Sequence, residues 1–163
     1  MDGTHGSSDD GREERLIVCI VSEIGPAPGV GRERLETGVK PRIRLLIADD
    51  RPQSRDGLRA LLATWPEVDV VGEAADGREA VGLAEKLRPD VVLMDVRMPV
   101  MNGLEAARAI KSRWPKVRIV VLTVYADYRA DALSVGADAF MVKGCPTEQL
   151  LAAIADPDAA PGG

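Results

Sequence analysis

The chain has 163 residues and a formal net charge of −5, with 45% hydrophobic and 29% charged residues but only 3% aromatic ones, so it suits one domain with some tail and a core built from Val, Leu, Ile and Ala. No basic stripe supports direct nucleic-acid binding, and no apolar run approaches the roughly 18 residues of a membrane span. The short apolar run from Leu16 to Val21 follows Asp9, Asp10, Glu13 and Glu14, the wrong charge for a secretory signal, so the expectation is a cytoplasmic protein that binds neither nucleic acid nor membrane.

Two cysteines, Cys19 and Cys145, match no metal spacing and form no disulfide framework. The single histidine, His5, lies in a polar stretch, which leaves the chain without His-based catalysis or a zinc site of its own. Residues 1–41 are rich in Gly, Ser, Pro and charge, and that composition buries too little apolar surface to offset ordering entropy. They are expected to form a disordered extension, with Leu16–Val21 as one strand-like exception. The ordered domain is expected over residues 42–156, followed by a short disordered tail over 157–163.

From Arg42 onward two periods alternate. Ile43 to Ala48 is an apolar run of strand length. Leu58, Leu61, Leu62 and Trp65 recur at helical spacing until Pro66. Val68 to Ala74 predicts a second strand, and Ala80, Leu83, Ala84 and Leu87 a second helix that Pro89 stops. Val91-Val92-Leu93-Met94 is continuously apolar, as a strand covered on both faces requires. After a loop with Pro99 and Gly103, Leu104, Ala107, Ile110 and Trp114 mark a third helix ending at Pro115. Val117 to Leu122 predicts a fourth buried strand, Tyr128 to Val135 a weaker helix broken by Gly136, and Ala139 to Val142 a fifth strand. Pro146 opens a last helix with Leu150, Leu151 and Ile154 inside. Strict alternation implies an α/β fold, a parallel sheet with helices on both faces. Such sheets bind ligands outside the carboxyl ends of their strands.

Those ends are where the chemistry lies. Asp49-Asp50 follow the first strand, Asp95 the third, Thr123 the fourth and Lys143 the fifth. In a parallel sheet all of them converge on one edge. Carboxylates crowded together repel unless a cation intervenes, and hard oxygen ligands select a hard divalent ion, with Mg²⁺ the natural choice. A lysine and a hydroxyl opposite suit a phosphoryl group, and a carboxylate can accept one to form an aspartyl phosphate.

The text Ile47-Ala48-Asp49-Asp50, then Val92-Leu93-Met94-Asp95-Val96-Arg97-Met98-Pro99-Val100-Met101-Asn102-Gly103, then Val121-Leu122-Thr123, then Ala139-Phe140-Met141-Val142-Lys143 resembles the response-regulator receiver family of two-component signalling. It is closest to the receivers that precede a LuxR-type helix-turn-helix. The resemblance covers about residues 42 to 156. It implies a flavodoxin-like, doubly wound five-stranded sheet in the order 2-1-3-4-5. It also implies that Asp95 is the phospho-acceptor, and that Mg²⁺ is held by Asp49, Asp50, Asp95 and the backbone carbonyl of Arg97. Lys143 is implied to pair with Asp95 before phosphorylation and with the phosphoryl group after it. Thr123 is implied to move onto that group, and Phe140 to turn inward as the aromatic switch. The implied partners are a histidine kinase or phosphotransfer protein. The implied output surface, joining the fourth helix, fifth strand and fifth helix, would bind a partner or a second copy.

The sequence departs from the family in two ways. Gly144 stands where many receivers have proline after the lysine, and no output domain follows Ile154 within these residues. Arg97 and Tyr125 occupy positions that in the family tune phosphoryl lifetime. The expectation is a signalling switch, not a turnover enzyme. A fragment of a DNA-binding regulator is the main alternative. A haloacid-dehalogenase-like phosphatase is disfavoured, because the second acid it needs two residues after the nucleophile is Arg97 here.

Overall fold

The computed structural model describes residues 41–155. The tails expected over 1–41 and 157–163, and the apolar run Leu16–Val21, lie outside the described residues except for Pro41. Within them, β1 (Ile43–Ala48), α1 (Pro52–Leu62), β2 (Val68–Ala74), α2 (Gly77–Leu87), β3 (Val91–Met94), α3 (Gly103–Arg113), β4 (Arg118–Thr123), α4 (Arg129–Ser134), β5 (Ala139–Val142) and α5 (Thr147–Ala155) alternate as the periodicity predicts. The five strands form one parallel sheet in the order β2-β1-β3-β4-β5.

Side-chain alternation along the strands divides the core into two layers. Leu46, Ala48, Val92, Met94, Ile119 and Val121 face α2, α3 and α4, where they meet Ala80, Ala84, Ala106, Ala107 and Ile110. Leu45, Ile47, Leu93, Val120 and Leu122 face the opposite side, against Leu62, Leu150, Ala153 and Ile154 of α1 and α5. The alanines of the first layer are fully buried. Their small size lets helices pack closely on a sheet that has almost no aromatic residues to fill wider gaps.

Element ends follow local chemistry. Asp76 caps α2 by accepting from the Glu79 amide, and Asn102 and Glu105 form a reciprocal capping box at α3. Several boundaries shift by a residue or more, and β4 runs over Arg118–Thr123 where Val117–Leu122 was expected, so that Thr123 is its last residue. The first helix ends at Leu62, not Trp65. Thr64 and Trp65 instead bond back to Leu61 and Leu62 at 3.1 and 3.0 Å, because the residue before Pro66 is pushed out of the helical region. Trp65 still packs on the core from this turn. The weak helix expected from Tyr128 begins as a 3-10 turn over Ala126–Tyr128 and continues as α4 to Ser134. No helix among the described residues is long and apolar enough to cross a membrane.

Candidate functional site

The site grows from the carboxyl ends of β1, β3 and β5. Asp49 and Asp95 are fixed at the backbone first. The Asp49 amide donates to Ala74 O at 3.0 Å and the Asp95 amide to Ala48 O at 2.9 Å, so both continue the sheet ladder one step past their strands. Their side chains are then turned by local amides. Asp49 Oδ1 accepts from Arg51 N at 2.9 Å, and Asp95 Oδ1 accepts from Val96 N at 2.8 Å. Both carboxylates are buried, whereas Asp50 is exposed and lines a cleft with Arg97, Met98, Pro99 and Tyr128.

Oxygens of Asp49, Asp50 and Asp95 all lie within 4.8 Å of one another. Oxygen ligands around Mg²⁺ sit at about 2.1 Å, which separates octahedral neighbours by about 3 Å and opposite ligands by about 4.2 Å. The triad's spacing is of the order that ligands of one such ion require, and its all-oxygen donor set suits a hard cation. The Arg97 side chain points elsewhere. Its guanidinium lies 4.3 Å from the Tyr125 ring centroid, and hydrogen bonds to Tyr128 and then Tyr125 raise its pKa above the ordinary value.

Lys143 closes the site from β5. Its Nζ is 2.5 Å from Asp49 Oδ2 and 3.4 Å from Asp95 Oδ2. The resemblance implied a pairing with Asp95; here the shorter contact goes to Asp49, and the ammonium bridges both carboxylates. Two buried carboxylates that face each other hold a cation between them, and Lys143 supplies it. The Lys143 amide donates to Thr123 O at 2.8 Å, which ties the lysine to the end of β4. Thr123 is itself fully buried, and its Oγ1 accepts from Tyr125 N at 3.4 Å. Phe140, expected to turn inward when Thr123 moves, has a buried ring, with the Arg129 guanidinium 5.9 Å from its centroid.

Glycine 103 carries the loop after Asp95. A Cβ built there would stand 1.8 Å from the Asp95 carbonyl oxygen, so only glycine allows α3 to start against the end of β3, where the Gly103 amide donates to Val96 O at 2.7 Å. The sequence reading missed two other residues. Arg55 donates from NH1 to Asp49 O at 2.7 Å and from Nε to Glu73 at 3.3 Å, bracing the turn that carries the acidic pair. Ser54 Oγ accepts from Lys143 Nζ at 3.2 Å. Helical periodicity marks the apolar face of α1 but gives no signal for which polar residue on it reaches another strand.

Comparison with known proteins places this arrangement. Residues 45–155 match the response regulator receiver domain. The transcriptional regulatory protein DegU of Brevibacillus brevis is 39% identical over 115 residues, 69% of this chain and 49% of that protein. The nitrate/nitrite response regulator NarL of Escherichia coli K12 is 40% identical over 113 residues, 68% of this chain and 52% of its own length. The isolated REC domain of RcsB from Salmonella enterica serovar Typhimurium, solved with phosphomimetic BeF3-, superimposes with a TM-score of 0.66 at 28% identity and covers 74% of this chain and 92% of that one. The chain thus spans about half the length of the curated relatives it matches.

Proposed function

This chain belongs to the response regulator receiver family of two-component signalling, and from that premise we propose that it is a phosphoryl-operated switch whose acceptor is Asp95. The observation that carries the reading is the Lys143 ammonium held between the Asp49 and Asp95 carboxylates, beside a third acid within metal-binding reach. A buried nucleophilic carboxylate, a cation-competent triad and a fixed ammonium are what acceptance of a phosphoryl group needs.

A carboxylate oxygen of Asp95 attacks the phosphorus of a phosphohistidine presented by a histidine kinase or phosphotransfer protein. One P–O bond forms, the P–N bond breaks, and the imidazole nitrogen leaves with the electron pair. Asp49, Asp50, Asp95 and the Arg97 carbonyl would hold Mg²⁺, which neutralises charge shared by the acceptor and the incoming group. Lys143 donates to a phosphoryl oxygen, and Thr123 turns its hydroxyl onto the same group. The amide of Lys143 on Thr123 O couples these two movements.

Output is a shift between existing arrangements. The ring of Phe140 is buried, and phosphorylation would raise the population of this inward packing. The face of α4, β5 and α5 would then bind a partner or a second copy. Leu133 and Val142, 39% and 38% exposed, give it apolar contact area. Because the relatives matched over half their length are named transcriptional regulators, a second reading of output is control of a DNA-binding module outside these residues. The reading frame beyond Gly163 separates that case from a stand-alone receiver.

The test is Asp95→Ala in the full chain. Labelling by a cognate kinase or by acetyl phosphate with Mg²⁺ is expected to vanish while the circular dichroism spectrum stays native. Labelling at the wild-type rate would overturn the assignment. Multiple turnovers on a generic phosphomonoester would point to a phosphatase instead.

A further inference from the structure

We infer that Ser54 is a positioning residue for Lys143, the third corner of a tripod that keeps the ammonium aimed at the acceptor when Asp49 is committed to a cation. This inference rests on the phosphoryl-acceptor reading. An ammonium has three N–H donors and no acceptor. Among the described residues, the Lys143 ammonium has three partners: Asp49 Oδ2 at 2.5 Å, Ser54 Oγ at 3.2 Å and Asp95 Oδ2 at 3.4 Å. Two of the three belong to the acidic triad. Once those oxygens turn to a divalent ion, Ser54 is the one partner that the ion does not claim.

Its place in the fold supports this role. Ser54 is the third residue of α1, which runs from Pro52 after the cap position at Arg51, and its hydroxyl spans from α1 to Lys143. The contact is part-buried, in a groove whose other walls include Leu58, Leu61, Leu122 and Leu150. Those apolar neighbours flank the contact, and Gln53 and Thr147 line the same groove. Gly144, at φ +98 with open space around its Cα, makes the turn after Lys143 permissive. A lysine on a permissive turn gains more from a fixed anchor than one on a rigid turn.

The test compares wild type, Ser54→Ala and Ser54→Thr in the full chain with ¹⁵N-lysine labelling and saturating Mg²⁺. Hydrogen exchange of the Lys143 ammonium is expected to quicken five-fold or more in Ser54→Ala and to return to the wild-type rate in Ser54→Thr, which restores the hydroxyl. A smaller change in Ser54→Ala overturns the contact. Beryllofluoride affinity at saturating Mg²⁺ is expected to fall about five-fold in Ser54→Ala while the Mg²⁺ Kd stays within two-fold, a split that general loosening of α1 would not produce. Unchanged beryllofluoride affinity in Ser54→Ala overturns the positioning role. Failure of the wild type to bind beryllofluoride would count against Asp95 as acceptor, whereas the exchange comparison still decides the Ser54 contact.

Discussion

The floor and the rim of this site are built differently. On the floor, Asp49, Asp95, Thr123 and Lys143 are held by short backbone and side-chain bonds among buried strand ends, and Gly103 approaches so closely that a methyl group has no room. The rim is exposed. Arg97 lies over Tyr125, Tyr125 meets Tyr128 edge to face at 6.1 Å, and Val100 stands 75% exposed at φ +68. On the proposed reading the floor sets the reacting atoms, whereas the rim lies outside the bonds that hold them. Substitutions should divide along the same line, with large coupled losses on the floor and small separable effects at its edge.

The sharpest way to break that division is Gly103→Ala. The added Cβ collides with the Asp95 carbonyl, and backbone atoms, unlike the tip of a long side chain, cannot swing aside. Overpacking costs about 1–3 kcal/mol in ordinary cores, and a backbone clash belongs at the upper end. Urea denaturation should show that loss, and beryllofluoride affinity should fall with it because Asp95 is displaced. An unchanged midpoint with unchanged affinity would mean that the floor is more plastic than its geometry indicates.

Val100→Gly should act in the opposite direction and only on stability. A β-branched residue in the left-handed region costs about 1–2 kcal/mol, and glycine removes that strain at an entropic cost of roughly 0.5–1 kcal/mol. With the side chain largely in solvent, little burial is lost. A net gain of about 0.5 kcal/mol follows from these two terms, visible as a small rise in Tm with labelling at Asp95 unchanged. A fall in Tm would show that the exposed valine packs in a way the geometry does not reveal.

The smallest effect concerns Cys145, two residues past Lys143. Burial pushes its thiol pKa above the ordinary value. The folded state then holds the proton more tightly than the unfolded chain, so this contribution to stability is complete below the unfolded pKa and is lost as pH rises through the folded one. Alkylation of Cys145 should accordingly be slower in the folded protein than in urea at pH 8, and the gap should close at higher pH. Equal rates at pH 8 would place the thiol in open solvent and weaken the view of this turn as part of the groove beside Lys143.

Much of the fold was legible because apolar periodicity and the breakers Pro66, Pro89, Pro115 and Gly136 mark the elements independently of their partners. The site was legible for a related reason. Asp49, Asp95, Thr123 and Lys143 each follow an apolar run, and a parallel sheet carries every such residue to one edge. The misread boundaries also have local causes. Trp65 keeps the helical spacing of its apolar face, yet Pro66 removes the residue from the helix and leaves only its packing intact.

By itself, the sequence determined the alternation of strands and helices and the chemical types gathered at the strand ends, since both follow from local period and residue chemistry. Only the tertiary structure decided that Lys143 bridges to Asp49, 94 positions away, and reaches Ser54, 89 positions away, that Gly103 abuts the Asp95 carbonyl, and that Phe140 is buried. Those relations depend on how far one helix tilts over its strands and which rotamers the two packed layers leave open, and no local pattern in the chain encodes either.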